Sequence, residues 1–249
     1  MNNPLRESGK PLFFKVGNAG DLALAAPEPR LGQSVRLAVR SLSVMQKEAL
    51  VINSLTGAVW RLASDEGAYL AGLDEAPCPL SFLTTGMVSS YMEEILALAK
   101  QRGIGIRDIR LIQDNYYTMK GSALKGTMTG GARNIALEAQ IDSDADRQDL
   151  QNLIVDAVVA SPLNGLMCGV KPSYFTLTHN GREIGPARAG RIDGPALPDS
   201  VADYDKAQPA AGDWSGLIRR NGMSPETEET VTRAGGSLQE EQDRLLHVR

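Results

Sequence analysis

The stretch Gly72-Leu73-Asp74-Glu75-Ala76-Pro77-Cys78-Pro79-Leu80-Ser81-Phe82-Leu83 runs straight into Thr84–Arg102 and decides the fold. From Pro79 onward, Phe82, Leu83, Gly86, Met87, Ser90, Tyr91, Ile95 and Leu98 recur at a 3.6-residue period. That spacing predicts one helix over Pro79 to Arg102 with a wide apolar stripe, central rather than superficial. Pro79 suits the first helical position, where its missing N–H costs nothing, and Gly103 suits the end.

Working outward, the N-terminal side reads as short strands and turns over residues 11–75. Pro11–Val16, Val35–Arg40 and Gly57–Leu62 are separated by Gly, Asn and Asp clusters. In the second, Val35, Leu37 and Val39 share one face and Arg36, Ala38 and Arg40 the other. On the C-terminal side, strands are expected at Ile106–Met119, Asn134–Ile141 and Ser173–Thr178. A second helix is expected over Asp144–Ala160, with Ser143 and Asp146 in a capping arrangement. Strands and helices in this order predict an α+β fold with antiparallel sheets around two central helices.

From about Gly185 the texture changes to Pro, Gly, Ala and Asp. The organisation expected is a domain over 1–185 and an acidic extension over 186–249. The extension is either a disordered tail or an arm that packs on a partner subunit through Trp214, Leu217 and Ile218, with short helices near Ser224-Pro225 and Ser237–Glu240. The charge follows the same division. Residues 1–198 carry 20 basic and 20 acidic side chains, residues 199–249 carry 6 and 10, and the net charge of −4 resides in the last fifth of the chain. On this division, deleting 199–249 is expected to leave a folded, near-neutral body. A neutral body with an acidic tail argues against nucleic acid as partner, because phosphate neutralisation needs surplus Lys and Arg.

Two cysteines, Cys78 and Cys168, cannot form a disulfide scaffold at this size, and neither sits in a CxxC. With His179 and His247 the only histidines, no metal site or metal cofactor is expected. Thr127–Gly131 lacks the Lys-Ser/Thr of a phosphate loop, so no nucleotide cofactor is expected either. The polar start Met1–Lys10 and the shortness of the apolar runs point to a soluble, cytoplasmic chain with no membrane partner.

The two helix starts carry a family resemblance. Gly72–Leu83 resembles the segment leading into the central helix of the OsmC/Ohr family, and Ala157-Val-Val-Ala-Ser161-Pro162-Leu-Asn164 resembles that family's Cys-Pro turn after its second helix. The resemblance covers roughly residues 10–185. It implies an intertwined homodimer with active sites at the subunit interface, and in many members a thiol peroxidase that reduces organic hydroperoxides. That chemistry uses a reactive Cys on the central helix, a resolving Cys in the Cys-Pro turn, and an Arg and a Glu that hold the thiolate.

This chain departs at each position that can be matched. The reactive position falls on Ser90, the Cys-Pro position on Ser161, and the Glu after the Pro on Leu80; the Arg matches Arg36, Arg40 or Arg61. A hydroxyl cannot form a sulfenic acid, so the ordinary cycle does not carry over.

The candidate catalytic residues are Cys78, Ser90, Cys168 and Glu94. Cys78, just before a helix, is either a reactive thiolate lowered by free N–H groups or a small turn residue. Cys168 is either its redox partner or a buried apolar thiol. Ser90 is a nucleophile or substrate contact, with Glu94 one turn on as base or orienter, or it bonds back to a helix carbonyl. Candidate binding residues are Met87, Tyr91, Ser161, Asn164 and Tyr116. Three functions follow as alternatives: a divergent enzyme cleaving a small organic substrate, by hydrolysis or another bond cleavage; an organic hydroperoxide reductase with thiols relocated to Cys78 and Cys168; or a non-catalytic binder of an apolar small molecule.

Overall fold

The computed structural model describes residues 2–29, 32–122, 124–169, 172–186, 189–196 and 202–211. Among these, two compact units form: one from residues 2–79 and 172–211, the other from 80–169. Helices and mainly antiparallel sheets make both, an α+β architecture.

The first unit opens with a one-turn helix α1 (Pro4–Glu7), followed by β1 (Phe13–Lys15), β2 (Val35–Ser41), β3 (Lys47–Asn53) and β4 (Val59–Ser64). These strands form an antiparallel sheet in the order β1-β4-β3-β2. Strand β3, unmarked in the sequence reading, alternates cleanly: Glu48, Leu50 and Ile52 are buried, while Lys47, Ala49, Val51 and Asn53 are half-buried on the other face. On β2 the two faces separate as the alternation predicts, with Ala38 in the core and Val35, Leu37 and Val39 exposed.

The core packs Phe14, Leu22, Leu50, Ile52 and Val59 together with Ala202 and Ala207. Residues 202–210 therefore pack onto this unit, with Ala202 and Ala207 in its interior. Val16 bridges Pro209 antiparallel, Ala210 N–H donates to Lys15 O at 2.8 Å, and Gly17 N–H donates to Gln208 O at 2.9 Å. The approach is so close that a Cβ on Gly17 would meet Ala210 Cα at 2.8 Å. Texture alone assigned this segment to an extension, because alanines and a proline carry no apolar period. Trp214, Leu217, Ile218, the two short C-terminal helices and His247 lie outside the described residues.

The second unit contains α2 (Pro79–Arg102, whose first residue closes the first unit), β5 (Ile106–Asp114), β6 (Tyr117–Lys120), β7 (Thr129–Ala132), β8 (Ala136–Ser143), α3 (Arg147–Ala160) and α4 (Pro162–Met167). The strand expected over 106–119 breaks at Asn115–Tyr116 into β5 and β6, which pair with β8 and β7 respectively. Helix α3 starts later than expected, at Arg147. Asp146 caps it by accepting from Asp149 N–H, while Ser143 Oγ accepts from Ala145 N–H in the turn before. Met87, Val88, Tyr91, Ile95 and Ala99 of α2 pack with Leu111, Leu153 and Ala157.

Four short strands, β9 (Tyr174–Phe175), β10 (Leu177–His179), β11 (Arg182–Ile184) and β12 (Gly190–Arg191), follow in the first unit. Among the described residues no helix is long and apolar enough to cross a membrane.

Candidate active site

Helix α3 ends at Ala160, and Ser161 both follows it and caps α4, with Pro162 at the first helical position. The Ser161 hydroxyl accepts from Asn164 N–H at 3.2 Å, satisfying one of the donors a helix start leaves open. Its Oγ also lies 2.8 Å from Ser90 Oγ on α2. The two positions matched to the family's reactive and resolving thiols thus meet, as hydroxyls. Ser161 is 1% exposed and Ser90 is half-buried. With one Ser161 lone pair taken by Asn164 N–H, the pair can run in either sense. When Ser161 donates to Ser90, the Ser90 proton is left to donate outward.

Asn164 links the pair to a thiol. Cys168 Sγ donates to Asn164 Oδ1 at 3.5 Å, a weak contact, and Cys168 N–H donates to Asn164 O at 2.9 Å. Cys168 is exposed, not a buried apolar thiol. Burial, and secondarily the nearby Cys168, push the Tyr91 phenol up, so it stays neutral through the physiological range. Tyr91 and Met87, both expected to bind substrate, are 3% and 1% exposed and fill the core. Among the described residues, Glu94 makes no hydrogen bond to Ser90 or Ser161. His179 is exposed at the tip of the β10–β11 hairpin in the first unit, beside Asn180.

A second polar group on α2 escaped the sequence reading. Thr84 Oγ1 donates to Leu80 O at 2.9 Å and accepts from Asn115 Nδ2 at 3.1 Å; Asn115 Nδ2 also reaches Tyr117 Oη at 3.0 Å, and Gln113 Nε2 donates to Asn115 Oδ1 at 2.8 Å. Tyr117, not Tyr116, is the phenol that meets the helix; Tyr116 is 51% exposed in the turn between β5 and β6. Gln113 is 1% exposed and its Oε1 is without a partner. The readable signal was a Gln in step with Leu111 on the buried face of a strand.

Cys78 immediately precedes α2 in the first unit and is half-buried. The loop that delivers it closes on the fully buried Asp65. Its Oδ2 accepts from Leu73 and Glu75 N–H, both at 3.2 Å, and its Oδ1 from Glu66 N–H at 2.8 Å. A Cβ on Gly72 would lie 1.8 Å from Glu66 O, so no side chain fits there. Glu75 Oε1 in turn receives Asn3 Nδ2 at 2.9 Å and the Arg6 guanidinium. Tyr69 Oη reaches Glu66 at 3.2 Å, and Glu66, with a smaller contribution from Cys78, pushes the Tyr69 phenol up.

Of the three arginines, Arg36 donates to Ala25 O, while Arg40 and Arg61 share the buried Glu48. Arg61 Nε lies 3.0 Å from Glu48 Oε2 and Arg40 Nε 2.6 Å from Oε1. Among the described residues no group of three or more His, Cys, Asp or Glu side chains is arranged to hold a metal ion.

No protein-family model and no curated protein matches the sequence. Solved structures do resemble it. An OsmC-like hydroperoxide resistance protein from Jannaschia sp. CCS1 is 19% identical, over 61% of this chain and 97% of that one, with a TM-score of 0.40. An OsmC-like protein from Mycoplasma pneumoniae is 15% identical, over 55% of this chain and 89% of that one, with a TM-score of 0.42. The organic hydroperoxide resistance protein OsmC from Legionella pneumophila is 17% identical, over 55% and 90%, with a TM-score of 0.40. OsmC-like proteins are thus what this chain resembles among solved structures.

Proposed function

We propose that the protein is a divergent OsmC-like enzyme that acts on a small organic substrate at the Ser90–Ser161 hydroxyl pair, by hydrolysis or another bond cleavage, and is not an ordinary thiol peroxidase. One observation carries the reading: Ser90 Oγ and Ser161 Oγ lie 2.8 Å apart at the two positions matched to the family's thiols. Peroxide reduction needs a thiolate to attack and a second thiol to resolve; a hydroxyl does neither.

The pair suits a different task. The buried Ser161, held by Asn164 N–H, orients the Ser90 hydroxyl as a donor to a substrate oxygen. Bond cleavage then requires a base brought by substrate, water or a second subunit, since Glu94 makes no bond to the pair among the described residues. The protein acts as a homodimer in this reading.

The test begins with mass spectrometry of any co-purified small molecule, followed by turnover of that compound and of an ester panel. Ser90→Ala is expected to lower turnover at least tenfold while leaving the thermal midpoint nearly unchanged. Unchanged turnover removes Ser90 from the mechanism, and saturable binding without product leaves a binding protein.

The exposed Cys168 beside Asn164 favours a second reading, an organic hydroperoxide reductase using Cys78 and Cys168. It predicts loss of both thiols and one intramolecular disulfide on treatment with excess cumene hydroperoxide. Survival of both thiols excludes it.

A further inference from the structure

Lys47 breaks the usual behaviour of lysine. A surface lysine lays its stem on the protein and keeps its ammonium in water. Here the residue is half-buried, yet its Nζ is itself buried and has no hydrogen-bond partner. Among the described residues no carboxylate pairs with it. The carboxylate next in sequence, Glu48, points to the opposite face of β3 and is taken by Arg40 and Arg61.

The ladder places Lys47 at the end of an apolar strip. Its own row is Ser41–Lys47–Ser64 across β2, β3 and β4. The next row on the same face is Val39–Ala49–Leu62–Phe13, and the one after is Leu37–Val51–Trp60, which ends in the exposed Lys15 on β1. Phe13 and Trp60 stack with centroids 4.9 Å apart. Two hydroxyl-bearing residues therefore flank Lys47 in the ladder, at the roughly 5 Å spacing of paired strand positions. Apolar side chains continue for about 13 Å along the strand at ~3.3 Å per residue.

We infer that this face of the first unit's sheet binds a small organic carboxylate with an apolar body, its anionic end on Lys47 Nζ between Ser41 and Ser64 and its body along Ala49, Leu62 and Val51. An uncompensated buried ammonium is costly, and an anion that brings its own apolar tail supplies both the counter-charge and a cover. A neutral ligand satisfies only the strip, and an inorganic anion only the lysine. The site lies wholly in the first unit and does not rest on the serine-pair reading, so either stands if the other fails.

Thermal midpoints of the full-length protein, titrated with 4-phenylbutyrate and with the neutral 4-phenyl-1-butanol, test it. The expected result is stabilisation by the carboxylate at concentrations at least tenfold below those the alcohol needs. Lys47→Met is expected to abolish that preference and Lys47→Arg to retain it. Equal response to acid and alcohol, no response to the carboxylate, or a preference that survives Lys47→Met overturns the assignment. Should Lys47→Met not fold, the ratio of the two ligands on the wild-type protein decides alone.

Discussion

The interiors of the two units hold different kinds of polar group. The first buries Arg61, Glu48, Asp65, Glu75 and Gln46, four of them ionisable and nearly all engaged in fixing backbone or each other. Arg61 donates to Pro11 O at 2.6 Å, Asp65 gathers three N–H groups, and Gln46 accepts from Leu5 N–H at 3.1 Å. Among the described residues the second buries only neutral polar groups: Thr84, Gln113 and Ser161. Charged groups in a low-dielectric interior must be matched closely or the unit does not hold, so they serve as fasteners. Neutral hydroxyls and amides tolerate an unfilled valence, such as Gln113 Oε1, and can turn toward a substrate. The first unit's buried charges are structural, with Lys47 Nζ and Glu75 Oε2 their unmatched atoms; on the proposed reading the second unit's hydroxyls are chemical.

Four changes break or sharpen that contrast. The largest effect belongs to Glu48→Ala, which leaves Arg61 buried at 2% exposure without its carboxylate. It is expected to cost about 3–5 kcal/mol in urea unfolding. Next comes the segment at 202–210. A chain ending at 201 loses Ala202, Ala207 and the hydrogen bonds to Lys15, Gly17 and Leu22, and is expected to be on the order of 2–3 kcal/mol less stable than one ending at 211. Equal stability of the two truncations returns this segment to a dispensable extension.

Ser161→Ala is smaller. It removes the α4 cap and the partner of Ser90, for about 1 kcal/mol. A loss as large as that of Glu48→Ala makes the hydroxyl pair a fastener too. The smallest effect is acid-side. Arg40 holds the exposed Asp205 carboxyl below its ordinary range through a hydrogen bond at 2.5 Å. A carboxyl lowered in the folded state contributes stability above its unfolded value and loses it as pH falls through the folded one. Asp205→Asn therefore flattens the melting profile slightly as pH falls through and below the ordinary carboxylate range, less so in high salt.

Much of the frame was legible because helix α2 and the alternating strand β2 bury one face each, and period reports burial directly. The break at Asn115–Tyr116 was hidden because the flanking residues keep strand-forming types through it. Strand β3 escaped as a named element because charged Lys47 and Glu48 open it, although its alternation was present. The meeting of Ser90 and Ser161, 71 residues apart, was suggested only by resemblance; no local pattern encodes it. The Lys47 site was invisible, since a lysine's type predicts exposure and only its coordinates reveal a buried Nζ.

The most direct measurement restores the missing sulfur. The Ser90→Cys/Ser161→Cys double variant and the wild type are treated with cumene hydroperoxide and their thiols counted by mass spectrometry. In the variant, one thiolate takes the distal oxygen and releases the alcohol, and the second thiol displaces water to close the disulfide. The account predicts one new intramolecular disulfide between 90 and 161 in the variant, and both native thiols intact in the wild type. A variant that forms no such bond, or a wild type that consumes the hydroperoxide through Cys78 and Cys168, contradicts it.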